Sequence, residues 1–187
     1  MTAEAVPIET DETSLLLATI RAVRAGDTDA FEDIMIATER RVAGLAWRIL
    51  QDAEDVKDAV QETFIRVFRH LDQFRDDGPF LGWLFRITVN VCRDLERRRR
   101  WRRLFSPLEA ASHVSTRASF DDALSARDQL TRAIDRLPKR ERLAVILRDV
   151  EELSTEEVAA ILGTKESSIK VSISKARAKM RKWMEEQ

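Results

Sequence analysis

Arg86, Asn90, Arg93 and Arg97 recur every three or four residues within PFLGWLFRITVNVCRDLERRRR, a spacing that sets them in one line along a helix. Guanidinium groups neutralise phosphates and an asparagine amide hydrogen-bonds a base edge, so the line suits an anionic polymer that carries bases. Phe80, Trp83 and Phe85 lie beside it and can stack on unpaired bases. The plainer alternative packs Trp83 between helices and leaves Arg97 to Arg100 solvated at a helix end, where cations favour the negative pole of the dipole. Reaction chemistry has no support. His70 and His113 have no evident partners, and the chain has neither a metal-ligand set nor a glycine-rich phosphate loop. The expectation is a protein that is not an enzyme, with no metal and no cofactor.

A second constellation lies in LSTEEVAAILGTKESSIKVSISKARAKMRKW. Ser154 and Glu157 have capping-box spacing, Val158, Ala159, Ile161 and Leu162 give the helix an apolar side, and Gly163 sits where a left-handed terminal residue belongs. Thr164 is then placed to cap a second helix with Ile169, Ile173, Ala176, Met180 and Trp183 on its inner side. Two short helices about a glycine turn form a helix-turn-helix. The opposite side of the second carries Lys165, Ser168, Lys175 and Lys179, which fits a major groove. A helical hairpin with a solvated lysine face is the competing interpretation.

The formal net charge of -1 over 187 residues conceals segregation. DAEDVKDAVQE, from Asp52 to Glu62, is acidic, whereas Arg93 to Arg103 and Lys165 to Lys182 are strongly basic. Such sorting separates a phosphate-facing surface from one that meets a basic protein groove or serves only solubility. The lone Cys92 cannot form an internal disulfide and is expected in a helix core within a reducing compartment. With no apolar run of membrane-spanning length and an acidic start, the chain is expected to be cytoplasmic, with no membrane insertion.

Helical periodicity recurs almost throughout, so the fold class is all-α. Leu15, Leu16, Ile20 and Val23 outline a first helix that stops at Gly26; Asp29 and Glu32 have capping-box spacing for a second, running through Phe31, Ile34, Met35, Val42, Leu45 and Ile49. The third starts near Asp52 with Val56, Ala59, Val60, Phe64, Val67, Phe68 and Leu71 inward. DQFRDDGPF is a loop, and a fourth helix from about Phe80 to Trp101 buries Leu81, Leu84, Ile87, Val91 and Leu95. Periodicity fades from Ser106 to Asp122, predicting a linker between domains at 14–104 and 123–187, with 105–122 between them. Beyond it come a helix around Leu124 to Arg136 and another opened by Pro138, with Leu143, Ile146, Leu147 and Val150 inward.

In this order the segments resemble the extracytoplasmic-function type of bacterial sigma factor. DAEDVKDAVQETFIRVFRHLDQF looks like the region 2 core-binding helix, PFLGWLFRITVNVCRDLERRRR like the helix after it, and LTRAIDRLPKRERLAVILRDVEELSTEEVAAILGTKESSIKVSISKARAKMRK like region 4. RAGDTDAF matches the usual N-terminal Gly-Asp. The resemblance implies docking on RNA polymerase core by Asp52, Glu54, Asp55, Asp58, Gln61, Glu62 and Phe64. It implies minus-ten promoter DNA on Arg75, Asp76, Phe80, Trp83, Arg86, Asn90, Arg93 and Arg97, with a flipped base near the loop from Asp76 to Phe80. The minus-thirty-five element would meet Thr164, Lys165, Ser167, Ser168, Lys170, Ser172, Lys175, Arg177 and Lys179. An anti-sigma factor is the further expected partner. The chain departs from the family pattern at Val171 and Ser172, where a small residue and an arginine are usual, and at Glu151-Glu152, where Glu-Gly is common. Two alternatives stand beside a promoter-specifying subunit: a sigma-like decoy that titrates an anti-sigma factor without promoter binding, and a dimeric helix-turn-helix repressor that ignores polymerase.

Overall fold

Asp52 shows how the chain starts a helix. Its backbone is extended and its carboxylate accepts from the N–H groups of Glu54 and Asp55, both at 3.1 Å, so α3 (Ala53–His70) opens there. The preceding helix, α2 (Phe31–Leu50), ends one residue earlier at Gln51, which adopts a left-handed conformation. α1 (Glu9–Arg24) stops ahead of Gly26. The Asp29–Glu32 capping box does not form: the Asp27 carboxylate accepts from Ala30 N–H at 3.3 Å, and no side chain caps α2. The turn after Gly26 brings Asp27 to the helix end first.

The structure is a computed structural model that describes residues 9–76, 78–105 and 126–185. Among these there is no strand, and the fold is all-α. α4 (Phe80–Phe105) follows a single 3-10 turn at Leu71–Gln73. The second group comprises α5 (Ala126–Asp135), α6 (Lys139–Val145), α7 (Thr155–Leu162) and α8 (Glu166–Glu185). Pro138 sits at the N-cap of α6 as expected, and α6 runs into a π-helical turn at Ile146–Val150. That wider turn leaves Val150 exposed, against its expected inward position, while Leu143, Ile146 and Leu147 are buried. The linker expected at 105–122 lies outside the described residues from 106 onward.

α4 is the wall shared by both groups. Leu84 joins Ile20, Ile34, Val42, Phe64, Val67, Leu71, Phe74 and Phe80 in a core made by α1 to α4. Turned elsewhere on the same helix, Phe85, Val89 and Cys92 enter a second core with Leu45 and Ile49 of α2 and Leu143, Leu147, Leu153, Val158 and Ile161 of the C-terminal group. Each fully buried large side chain of this kind contributes about 1.5–3 kcal/mol. The apolar arc of α4 is therefore wider than one face, and Phe85 is fully buried rather than flanking the arginine line. Gly82 continues the same side of α4: a Cβ there would lie 3.4 Å from a Glu157 carboxylate oxygen and 3.9 Å from Leu153.

The helix-turn-helix forms as the spacing requires. Ser154 Oγ accepts from Glu157 N–H at 3.1 Å, while the Glu157 carboxylate accepts from Ser154 N–H at 2.7 Å, a complete capping box. Gly163 closes α7 at φ +66° with its N–H on the Ala159 and Ala160 carbonyls. Thr164 does not cap α8. Its hydroxyl accepts from Arg140 at 2.9 Å, and the helix opens at Glu166.

Two glycines should therefore respond oppositely to alanine. Gly163→Ala puts a Cβ on a left-handed backbone and should lower stability by about 1 kcal/mol. Gly44→Ala, inside α2 with nothing within 4 Å of its Cβ position, should raise it by up to about 1 kcal/mol. Urea midpoints check both, and a destabilised Gly44→Ala would contradict the helix-interior placement.

Candidate nucleic-acid interface

α4 holds the basic line at one angle because its other two sides are buried. Arg86, Asn90, Arg93 and Arg97 are all exposed. They are not equally available. Arg93 donates to the Leu162 carbonyl at the end of α7 at 3.2 Å, and Arg97 pairs with Asp94 at 2.9 Å. Arg86 and Asn90 carry the open part of the line. Asp94 also accepts from Arg66 at 3.1 Å, and Arg66 pairs with Glu62 at 2.7 Å, a bridge from α3 to α4.

The loop before α4 feeds an aromatic cluster. Phe74 meets Phe80 edge-on at 5.3 Å and Trp83 at a tilt at 5.6 Å, and Phe80 and Trp83 are 5.7 Å apart. Phe80 is buried, so it supports the surface rather than forming it; Trp83 is half-buried, packed as the plainer sequence alternative holds. Arg75 is exposed, and Asp76 pairs with Arg21 at 3.1 Å and Arg24 at 2.8 Å. Hydrogen bonds from these arginines, Arg21's foremost, hold the Asp76 acid below its ordinary value. Cys92 is buried behind the line, and burial pushes its thiol up to about 12. It behaves as a core residue.

The acidic face of α3 divides. Asp55 accepts from Arg99 at 2.9 Å, and Asp52 lies 3.8 Å from the same guanidinium. With Glu62 engaged by Arg66, these three carboxylates turn toward α4. Glu54, Asp58 and Gln61 face outward, Glu54 pairing with Lys57 at 2.8 Å. Phe64 is buried, because it falls on the inner side of the same helix, and it presents no surface. Gln61 instead borders an open apolar groove of about 820 Å³ between α2 and α3, lined also by Met35, Val60, Ile65 and Phe68. Sequence periodicity placed Met35 and Phe68 among core positions. Their partial exposure makes them part of a surface, and the signal was available: α3 has more large apolar residues than one inner face holds.

On α8 the outward side is rotated from the one expected. Ser172 is buried and its hydroxyl donates to the Ser168 carbonyl at 2.9 Å, so this residue cannot reach DNA. It follows Ile169 and precedes Ile173 and Ala176 on the inner side. Arg177 grips Asp149 at 2.6 and 3.0 Å, and Lys179 grips Glu141 at 2.8 and 2.9 Å. Both cations brace α8 against the α6 segment. Thr164 and Ser168 are half-buried, while Lys165, Ser167, Lys170 and Lys175 are exposed, Lys170 lying 3.6 Å from Glu166. Ser167, Lys170, Val171 and Ser174 share the outward side near the N-terminal end; Val171 and Ser174 were missed, although their spacing from Ser167 is helical.

The Sigma-70 region 2 family model matches residues 34–102, and the Sigma-70, region 4 model matches residues 127–180. The chain is 34% identical over 169 residues to the ECF RNA polymerase sigma-E factor of Escherichia coli (strain K12), covering 84% of this chain and 88% of that one. It belongs to the ECF RNA polymerase sigma factors. The SigE sigma factor of Mycolicibacterium smegmatis is 37% identical over 150 residues, 77% of this chain, which spans 57% of that relative's length. Among solved structures, CnrH in complex with the cytosolic domain of CnrY superposes with a TM-score of 0.63 at 28% identity, covering 91% of this chain and 97% of CnrH. The RpoE sigma factor of Bartonella quintana, solved with the anti-sigma factor NepR, shares the fold at a TM-score of 0.69 and 22% identity, covering 83% of this chain and 96% of that one. Sigma factors are DNA-binding transcription initiation factors and not enzymes, which agrees with the lack of any reactive constellation in the sequence. Among the described residues of this sigma factor no helix is long and apolar enough to cross a membrane.

The region 2 and region 4 units of the sigma factor meet across the second core, and at its edge Gly82 lies against Leu153 and Glu157, where the contact can be wedged. Gly82→Gln should push α7 off α4 while leaving each unit helical. A packed chain of this length has a radius of gyration of about 16 Å before its tails are counted. Small-angle scattering should show the variant larger by several ångströms at unchanged circular dichroism. A curve identical to the parent's would mean that this contact does not hold the units together.

Proposed function

We propose that the chain specifies promoters for RNA polymerase core in the cytoplasm through two separate exposed helix faces, and is itself held in check by an anti-sigma protein. The observation that carries the reading is that each matched region presents its own outward polar face, Arg86 and Asn90 on α4 and Ser167, Lys170, Val171 and Ser174 on α8. On α4, Arg86 neutralises backbone phosphate and Asn90 takes a base edge of the unpaired minus-ten strand, with Trp83 beside them and Arg93 joining once α7 moves away. On α8, Lys165 and Lys175 meet phosphates, Ser167 and Lys170 meet base edges, and the Val171 side chain suits a thymine methyl in the major groove. Core docking falls to Glu54, Asp58 and Gln61 with the apolar groove beside them; Asp52, Asp55 and Glu62 set the attitude of α3 from within. CnrH in its complex with the cytosolic domain of CnrY supports both the protein partner and the compartment.

The domain boundaries follow from the same reading: a region 2 unit at 14–104, a linker at 105–122 and a region 4 unit at 123–187. The two promoter elements are named for positions about 25 base pairs apart, or about 85 Å of duplex. Fully extended, the 105–122 segment reaches about 60 Å, which together with the units themselves is enough to span the elements. The packed arrangement is too short to do so. Binding to polymerase and promoter therefore includes parting α7 from α4.

Run-off transcription from genomic fragments with purified polymerase core tests the whole reading. Transcripts that require the protein are expected, and failure to bind core would end it. Binding without promoter opening would favour the decoy. Within that assay, Asn90→Ala should lower opening about tenfold with core affinity kept within twofold, whereas Glu54→Lys with Asp58→Lys should weaken core binding by a similar factor. Asp55→Lys should instead reduce thermal stability, since it sets a cation beside Arg99. Equal loss of both activities in the Asn90 and Glu54/Asp58 variants would remove the assignment of separate faces.

A further inference from the structure

We propose that Arg24, on α1 and outside every face assigned above, is the positioning residue for the loop that presents the minus-ten strand. This deepens the minus-ten reading of α4 and rests on it.

Arg24 reaches four groups of the segment between α3 and α4. Its Nε donates to the Leu71 carbonyl at 3.0 Å, one terminal nitrogen donates to the Phe74 carbonyl, the other to Asp76 Oδ1 at 2.8 Å, and the guanidinium carbon lies 5.7 Å from the Phe74 ring centroid. Arg21 adds a contact to Asp76 Oδ2 at 3.1 Å. Such a set needs a planar fork with several donors, and a lysine ammonium cannot reproduce it. The helix that carries the fork is itself anchored, since Ile20 is fully buried in the core with Leu71, Phe74, Phe80 and Leu84.

The clamp extends to the DNA line through aromatic contact. Phe74, with its carbonyl and ring both on Arg24, packs against Phe80 and Trp83, and Trp83 precedes Arg86 by one helical turn. Within the connection, Phe74 N–H donates to Leu71 at 3.3 Å and Gly78 N–H to Arg75 at 3.3 Å. Both are longer than the usual N–H···O range and add little rigidity to the connection. Arg24 supplies it from outside, fixing where Arg75 and Asp76 stand at the start of α4 before the strand arrives. It touches no base in this scheme and acts through the loop.

Hydrogen exchange and strand opening, measured on the same holoenzyme, test the proposal. Arg24→Ala should speed exchange of the 71–76 amides at least tenfold, and should lower permanganate reactivity of promoter thymines about tenfold on the most active run-off fragment. Core affinity should stay within twofold, Arg24→Lys should fall between variant and parent, and Arg21→Ala should have a smaller effect than either. Unchanged exchange in 71–76, or faster exchange with normal opening, overturns the proposal. A parallel loss of core binding also overturns it, by marking a general structural role. Arg86→Ala and Asn90→Ala report on the base-contact reading separately: if neither affects opening, that reading fails, whatever exchange shows about the clamp.

Discussion

The burial of α4 on two sides is the constraint on which the other features depend. Leu84 fills one core and Phe85, Val89 and Cys92 fill another, so the helix cannot rotate without exposing one set or the other. Interiors packed to crystal-like density resist such rotation through many small contacts rather than through one bond. The line of Arg86 and Asn90 keeps its direction for this reason. The same burial draws the helix-turn-helix unit to region 2, since Leu153, Val158 and Ile161 complete the second core.

Charge plays a more local part than its segregation in the sequence implies. Asp52, Asp55 and Glu62 of the acidic stretch, and Arg177 and Lys179 of α8, are paired inside the chain, by Arg99 and Arg66 in the first case and by Asp149 and Glu141 in the second. Pairs this close to solvent are worth roughly 0–1 kcal/mol each, so their importance is geometric. They fix the angle of one helix against another and leave a smaller set of charges to face outward. A net charge near zero is thus compatible with two sharply polar surfaces.

What the sequence made legible was local. Ser154, Glu157 and Gly163 define α7 within a dozen residues, and Asp52 defines the start of α3, because capping and left-handed turns act over one helical turn. The all-α class and the order of the helices follow from the same periodicity. Positions whose environment comes from far along the chain were harder. Phe85 flanks the arginine line by spacing while its core partners lie some sixty residues later, and the resemblance alone puts Phe64 and Ser172 among contact residues, although periodicity turns Phe64 inward and both are buried. Thr164 lost its capping role to a distant arginine, Arg140, which no local spacing could reveal. Met35 and Phe68 are the converse case, apolar residues in the inward pattern that border a groove instead.

On the proposed reading, the contact between α4 and α7 sets a cost on engaging both promoter elements at once. Arg86, Asn90 and the outward side of α8 are exposed while α4 and α7 touch, so one element alone can bind without opening; the affinity for both together is reduced by the fraction of the protein that is open. On the proposed reading, a single element shifts that equilibrium little, whereas polymerase, if it holds the units apart, meets the opening cost for the second element. An isolated match to one element then gains nothing from the second face, and the avidity of the pair is available only to the opened protein. A partner that binds the closed form draws on the same equilibrium in the opposite sense, and it lowers the response to both elements without touching either reading face.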